Sequence, residues 1–384
     1  MTRPAFDTCV QINLQRGFGG GEVYTAAFTR ALHGAGVSTR LFVDPQAQGW
    51  KHLALPGARI EALTNVANLV EHLADGPPRW LAFHTFAPVA VIEALRAQGH
   101  LVTAFAHMPL AGRDPAPLRP FELVLAVSRY VIATARAAGL ERVYPEPLYG
   151  VADLAPRGAG GGPLRQRSRY DWDRRKFRDR LLGLLEPLAE PFRRRQVYAR
   201  RSGLTLGVVS RLTPIKQFPE LFALLAPVLA RLPQVNLEVF GSGGFATVRD
   251  LERTLAPIGD RVRFWGHQAD VAAAYRAIDF LLTGLPEKEA LGLNVLEAQA
   301  CSTPVLAPDA PPFDETVAHG MTGLRYRDPR ADAGADFEHT LRAILSGGFR
   351  FDARSARAHL AQFSEDAFAR RATALLAYLR ELRP

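Results

Sequence analysis

The sequence predicts an α/β protein made of two doubly wound, Rossmann-like domains. Through the first 150 residues, short β-branched or aromatic runs alternate with helical patterns, the sign of βαβ units around a parallel sheet. The alternation lapses after a glycine-rich run at 158–162 and resumes at Gly203. With 384 residues, 48% hydrophobic and 22% charged, the chain has the size of two domains at about 150 residues each.

In the first half, strands are expected at 8–14, 38–43, 80–84, 101–107 and 123–127. Helices are expected at 22–34, 88–98 and 129–138, each closed by a glycine within the next residues, as helix C-termini prefer. In the second half, strands are expected at 205–210, 236–240, 262–265, 280–283 and 305–307. Between the first two of these, Phe218, Leu221, Phe222, Leu225 and Leu229 recur at helical spacing and predict a buried stripe. The expected division is a domain at 1–153, an arginine-rich connection at 154–202 and a domain at 203–364. A closing helix, from about 365 to the end, could return to the first domain, and periodicity does not choose between the two.

The formal net charge is +9, from 47 Lys+Arg against 38 Asp+Glu, and only Lys51, Lys176, Lys216 and Lys288 are lysines. Residues 154–202 hold fourteen basic and five acidic side chains, so this stretch carries the whole excess and the remainder is formally neutral. Confinement of the charge argues against a general nucleic-acid binder, and no nucleic-acid partner is expected. Arg193, Arg194 and Arg195, among interleaved aromatics, suit an anionic membrane surface or an anionic acceptor.

The start of the chain lacks a basic stretch followed by an apolar core, so a cytoplasmic protein is expected, with any membrane contact peripheral. The longest apolar run, 221–232, contains Pro227 and Arg231 and is shorter than the roughly 20 residues of a spanning helix. Cys9 and Cys301 sit far apart in apolar contexts and read as buried thiols. His84, His267 and His319 show no metal-ligand spacing. Asp171-Trp172-Asp173 has the Asp-x-Asp form but no preceding strand, so neither metal nor cofactor is expected.

Three stretches carry chemistry. Gly19-Gly20-Gly21-Glu22 lies between a strand and a helix, where backbone N–H groups can approach a phosphate. Arg211 and Lys216 follow the first strand of the second half and can converge on a diphosphate at its carboxyl end. Glu289 and Glu297 flank a helix start at Gly292-Leu293-Asn294, whose unpaired amides can hold an anion while the carboxylates take sugar and ribose hydroxyls.

In this order, with Ser302-Thr303-Pro304-Val305, the motifs resemble those of the retaining glycosyltransferases of family 4, whose fold is GT-B, two Rossmann-like domains facing a cleft. His107, Ser128-Arg129-Tyr130, Gly150-Val151-Ala152-Asp153, Gly241-Ser242-Gly243 and Thr322-Gly323-Leu324 are weaker landmarks in the same order. The resemblance covers nearly the whole chain outside 154–202 and departs from the pattern in two places. The first loop has an extra glycine, and Ala290-Leu291 replaces the usual glycine and phenylalanine.

The resemblance implies that Arg211 and Lys216 grip a donor diphosphate, Glu297 holds the ribose, and Glu289 and His107 lie at the transferred sugar. Gly19, Gly20 and Gly21 would face the diphosphate. The implied reaction moves a sugar from a nucleoside-diphosphate sugar, UDP-linked in preference to GDP-linked, to a glycan or lipid-linked acceptor, in lipopolysaccharide or surface-polysaccharide assembly. Two other classes stay open. An NAD-dependent oxidoreductase would use the glycine loop but leaves Glu289 and Glu297 idle. A noncatalytic nucleic-acid-binding protein would use only the arginines.

Overall fold

A computed structural model describes residues 6–17, 19–151, 163–172 and 196–382. Arg193, Arg194 and Arg195 lie outside the described residues, as does the 158–162 glycine run. The chain divides into two compact units, Met1–Ala152 with Ala361–Pro384, and Asp153–Leu360.

The first unit holds six strands: β1 (Thr8–Asn13), β2 (Ser38–Val43), β3 (Ala58–Ala62), β4 (Trp80–Phe83), β5 (Leu101–Ala106) and β6 (Leu123–Ala126). They pair in the order β3-β2-β1-β4-β5-β6, every pairing parallel. The order reverses between β1 and β4, which opens a crevice at the carboxyl ends of those two strands. Every residue of β4, β5 and β6 is buried, as expected for a parallel sheet covered on both faces. The helix Gly20–Gly34 packs Phe28 edge-on against Trp80, at 6.0 Å, and Phe105, at 4.9 Å. The closing helix Glu365–Leu382 belongs to this unit and sets Phe368 against Tyr24 and Phe28, and Tyr378 against Tyr144.

The second unit repeats the plan with β7 (Leu204–Val209), β8 (Val235–Phe240), β9 (Val262–Gly266), β10 (Phe280–Leu282), β11 (Val305–Pro308) and β12 (Gly323–Tyr326). All pairings are again parallel, in the order β12-β11-β10-β7-β8-β9, so the reversal falls between β7 and β10. The helix Phe218–Ala230 buries all five residues of its apolar stripe, none more than 2% exposed. Each large apolar side chain so buried contributes about 1.5–3 kcal/mol.

Two strands, β3 and β12, have no counterpart among the sequence expectations. Both are sheet edges, and β3 has no fully buried residue, so neither produces an apolar run. The short helix Asn68–Leu73 also went without a sequence signal.

The described ends of the arginine-rich stretch are built into the second unit. Arg167 N–H donates to Trp265 O at 2.9 Å, Asp171 N–H to Gly243 O at 2.8 Å and Tyr198 N–H to Leu164 O at 2.8 Å. Arg169 pairs with Glu252, and Arg200 with Asp279. Arg201 joins Arg263 and the Trp265 indole N–H on the carboxylate of Glu238, a buried acid on β8.

Candidate functional site

The loop after β7 forms a 3-10 turn at Pro214–Lys216 that brings Lys216 back toward the strand ends. The neighbouring loop after β8 is zipped to it, Leu212 N–H donating to Ser242 O at 2.8 Å. That approach demands glycine, since a Cβ at Gly241 would stand 1.9 Å from Ser210 O and one at Gly243 2.0 Å from Leu212 O. The landmark Gly241-Ser242-Gly243 thus has a local cause, the closeness of two backbones at the carboxyl ends of β7 and β8.

The structure brings Lys216, Glu289 and Gly292 together. Lys216 Nζ is ion-paired with Glu289 Oε2, the two side chains being 28% and 17% exposed. Glu289 Oε1 accepts from Gly292 N–H at 3.1 Å and Ala290 N–H at 3.3 Å. Gly292, at φ 81°, turns the chain into the helix Leu293–Ala300. Leu293 and Asn294 are the first residues of that helix, where N–H groups lack an intrahelical acceptor. Asn294 ties the helix start to β7 by donating from Nδ2 to Val209 O at 3.2 Å.

Glu297 lies one turn further in, half-buried, and its Oε2 accepts from Tyr275 Oη at 2.8 Å. Burial, reinforced by the Glu297 charge, holds the Tyr275 phenol well above its ordinary pKa, so it stays a donor. Arg211 is exposed, and among the described residues its guanidinium has no hydrogen-bond or ion-pair partner. Among the described residues, one cation is therefore already paired and the other is unengaged.

In the first unit, Glu22 Oε2 accepts from Gly19 N–H at 2.7 Å and fills one donor of the glycine loop, leaving Gly20 and Gly21 at the open start of the helix. A dinucleotide cofactor bound at this loop would also need an acid for its ribose. Asp44, the acid nearest the ribose position of such a cofactor, is engaged by Arg16 at 2.9 Å, and its carboxyl is held below the ordinary range by the Gln46 N–H and Arg16. That engagement weighs against the oxidoreductase class.

His107 follows β5 and is half-buried. Its Nε2 lies 2.9 Å from Nδ1 of His84, the residue after β4, and His84 Nε2 lies 3.0 Å from Gln11 Oε1 on β1. Burial pushes the His107 pKa down to about 4 and, with His107 beside it, holds His84 well below the usual histidine range. Sequence reasoning passed over Gln11 and Tyr275 and read His84 only as a histidine without metal-ligand spacing. His84 and His107 both stand one residue past adjacent strands, a pattern readable without coordinates. Tyr275 gave no such signal.

Among the described residues, no group of three His, Cys, Asp or Glu side chains could hold a metal ion, and no helix is long and apolar enough to cross a membrane.

Residues 203–345 match the family model for Glycosyl transferases group 1. This is the stretch that holds Arg211, Lys216, Glu289 and Glu297. The chain is 36% identical over 167 residues to D-inositol 3-phosphate glycosyltransferase of Mycobacterium sp. (strain KMS), covering 41% of this chain and 36% of that protein. It is 32% identical over 174 residues to the protein of the same name from Rhodococcus erythropolis (strain PR4 / NBRC 100887), covering 42% and 38%. The matches thus span little more than a third of the length of these curated relatives.

Among solved structures, Anabaena Alr3699/HepE in complex with UDP and glucose superposes at a TM-score of 0.70 with 19% identity, over 97% of this chain and 99% of that one. Sucrose-phosphate synthase of Thermosynechococcus elongatus also gives 0.70 and 19%, over 98% and 100%. The lipopolysaccharide outer core galactosyltransferase WaaB gives 0.64 and 16%, over 97% and 99%. These likenesses show the fold, GT-B with two Rossmann-like domains.

Proposed function

We propose that the protein is a glycosyltransferase that moves a sugar from a nucleoside-diphosphate sugar to a glycan or lipid-linked acceptor, retaining the anomeric configuration. The observation that carries this reading is the cluster of Lys216, Glu289 and the open amides of Leu293 and Asn294 at the β7/β10 reversal, with Arg211 in the loop that follows β7. A departing diphosphate gains negative charge while the sugar becomes oxocarbenium-like. Arg211, Lys216 and the two amides are the groups in this unit suited to that charge, and preorganised donors of this kind dominate such catalysis. Glu289 and Glu297 suit hydroxyls of the transferred sugar and the ribose, with Glu297 oriented by Tyr275. In the first unit, His107 is assigned to a sugar hydroxyl and Gly19, Gly20 and Gly21 to phosphate oxygens. The reading calls on no metal or cofactor.

The Anabaena protein's complex with UDP and glucose supports a UDP-linked donor here, and the WaaB likeness supports an acceptor in lipopolysaccharide or another surface polysaccharide. Attack from the leaving group's face, with the donor phosphate taking the acceptor proton, would retain configuration. Thermal shifts with UDP, GDP and their sugar conjugates, followed by NMR of the glycoside product, test the reading. Stabilisation by a nucleotide sugar and a retained anomeric centre are expected, and an inverted centre would exclude the retaining mechanism. Arg193, Arg194 and Arg195 are proposed to dock the enzyme on anionic lipid or acceptor. Unchanged liposome sedimentation and acceptor turnover after their replacement by glutamine would remove that part.

A further inference from the structure

The first unit contains a chain of hydrogen bonds that ends at His107, and its first link decides the direction of all the others. Thr29 Oγ1 donates to Thr25 O at 2.9 Å along the helix Gly20–Gly34, which uses the only proton of that hydroxyl. Its oxygen must then accept from Gln11 Nε2, at 2.9 Å, and the Thr39 hydroxyl lies 3.4 Å from the same nitrogen. The Gln11 amide is thereby oriented with Oε1 toward His84 Nε2, at 3.0 Å. An amide oxygen only accepts, so His84 carries its proton on Nε2.

A neutral imidazole has one N–H, which leaves His84 Nδ1 as an acceptor 2.9 Å from His107 Nε2. His107 must supply the proton of that bond. Its Nδ1 is then a lone pair, and among the described residues it has no hydrogen-bond partner.

Packing keeps the rings in these planes. Phe105 stacks on His84 at 4.6 Å and 6°, and on His107 at 5.7 Å and 22°. Tyr24 meets His107 edge-on at 5.1 Å. Gln11 and Thr29 are fully buried, Thr39 is 2% exposed and His84 8% exposed, so water does not replace these links. Burial also keeps both imidazoles neutral near pH 7.

We propose that Gln11 and His84 are positioning residues that hold His107 in its Nε2–H tautomer. The unit then presents substrate with a neutral acceptor, His107 Nδ1, which takes a hydroxyl and rejects a phosphate or carboxylate oxygen. The catalytic relevance of that acceptor rests on the glycosyl-transfer reading; the tautomer does not.

Histidine-selective 15N labelling of the full chain, with His107 assigned by loss of its signals in His107→Gln, reads the tautomer directly. A pyrrole-type Nε2 and a pyridine-type Nδ1 at pH 7 are expected. A protonated Nδ1 or an imidazolium in the unaltered protein would overturn the proposal. Gln11→Met keeps the side chain's length and removes the acceptor. It is expected to mix the His107 tautomers and lower kcat/KM by about two- to tenfold, the usual range for one hydrogen bond, for the donor found in the thermal-shift panel. An unchanged His107 spectrum in folded Gln11→Met would equally overturn the relay. Absence of sugar transfer by the unaltered protein would instead remove the proposed function, leaving the tautomer to be judged on the spectrum.

Discussion

Gly21→Ala separates what the glycine loop does for the fold from what it does for a ligand. Gly21 is the second residue of the helix Gly20–Gly34, is not among the glycines with positive φ, and a Cβ built on it meets nothing within 4 Å. Nothing within the described chain therefore requires glycine there. Alanine at a compatible position stabilises by about 0.4–1 kcal/mol, mainly by restricting the unfolded chain. For a unit of 150–250 residues each kcal/mol moves Tm by roughly 2–4 °C, so a rise of about 1–4 °C is expected. If a phosphate is held against this backbone, the new methyl displaces it, and a displacement of about 1 Å costs about 10² in rate. Differential scanning fluorimetry and kcat/KM on the same preparation check both halves. A raised Tm with undiminished turnover would refute the phosphate role, and a lowered Tm would refute the geometric argument.

Arg211→Ala should lower kcat by about 10²–10³ at an unchanged Tm, because the guanidinium has no partner among the described residues and follows β7, the strand to which the helix start of the proposed leaving-group cluster is tied. Tyr275→Phe removes the donor that orients Glu297 and should raise KM for the nucleotide sugar by about two- to tenfold with little effect on kcat, as steady-state kinetics will show. Glu238→Gln leaves Arg201 and Arg263 facing each other without their buried counter-charge, and urea titration should show a loss of about 3–5 kcal/mol. The folded-state pKa of His107 is depressed from 6.5 to about 4, so between those values the unfolded chain binds more protons. This contribution to stability is complete above pH 6.5 and falls as the pH drops toward 4, and His107→Gln should flatten that acid limb of the Tm profile.

The strands buried along their length were legible because burial leaves apolar runs such as Leu123–Ala126, at a sheet edge though it is, and β3 and β12 were not because β3 has no buried residue and β12 only its two end residues. Lys216 and Glu289 were legible separately, as charged residues following strands. Their ion pair was not, since 73 residues separate them and only the β7/β10 adjacency brings them together. The histidine relay draws on β1, β2, β4, β5 and one helix, so no local pattern contains it. It did leave a trace, because Gln11 interrupts the apolar run Cys9–Ile12, and a polar side chain inside a central strand needs a buried partner.

Each unit has its own strand-order reversal, and the two differ in electrostatic character. In the second, Glu289 occupies both Lys216 and the Gly292 amide, so an anion must compete with an intrachain carboxylate before it reaches them. That competition would lower affinity for the proposed diphosphate, but it also spares the unliganded protein a partly buried, unpaired lysine. Arg211, exposed and without a side-chain partner among the described residues, meets no such competitor there, so on the proposed reading a diphosphate would engage it first and the pair would rearrange afterwards. In the first unit the corresponding position holds two neutral imidazoles whose protons are fixed by an amide, and nothing there need ionise or exchange partners. A reaction that separates an anionic leaving group from an uncharged, hydroxyl-bearing sugar calls for both kinds of surface, one that shares charge and one that offers only directed hydrogen bonds.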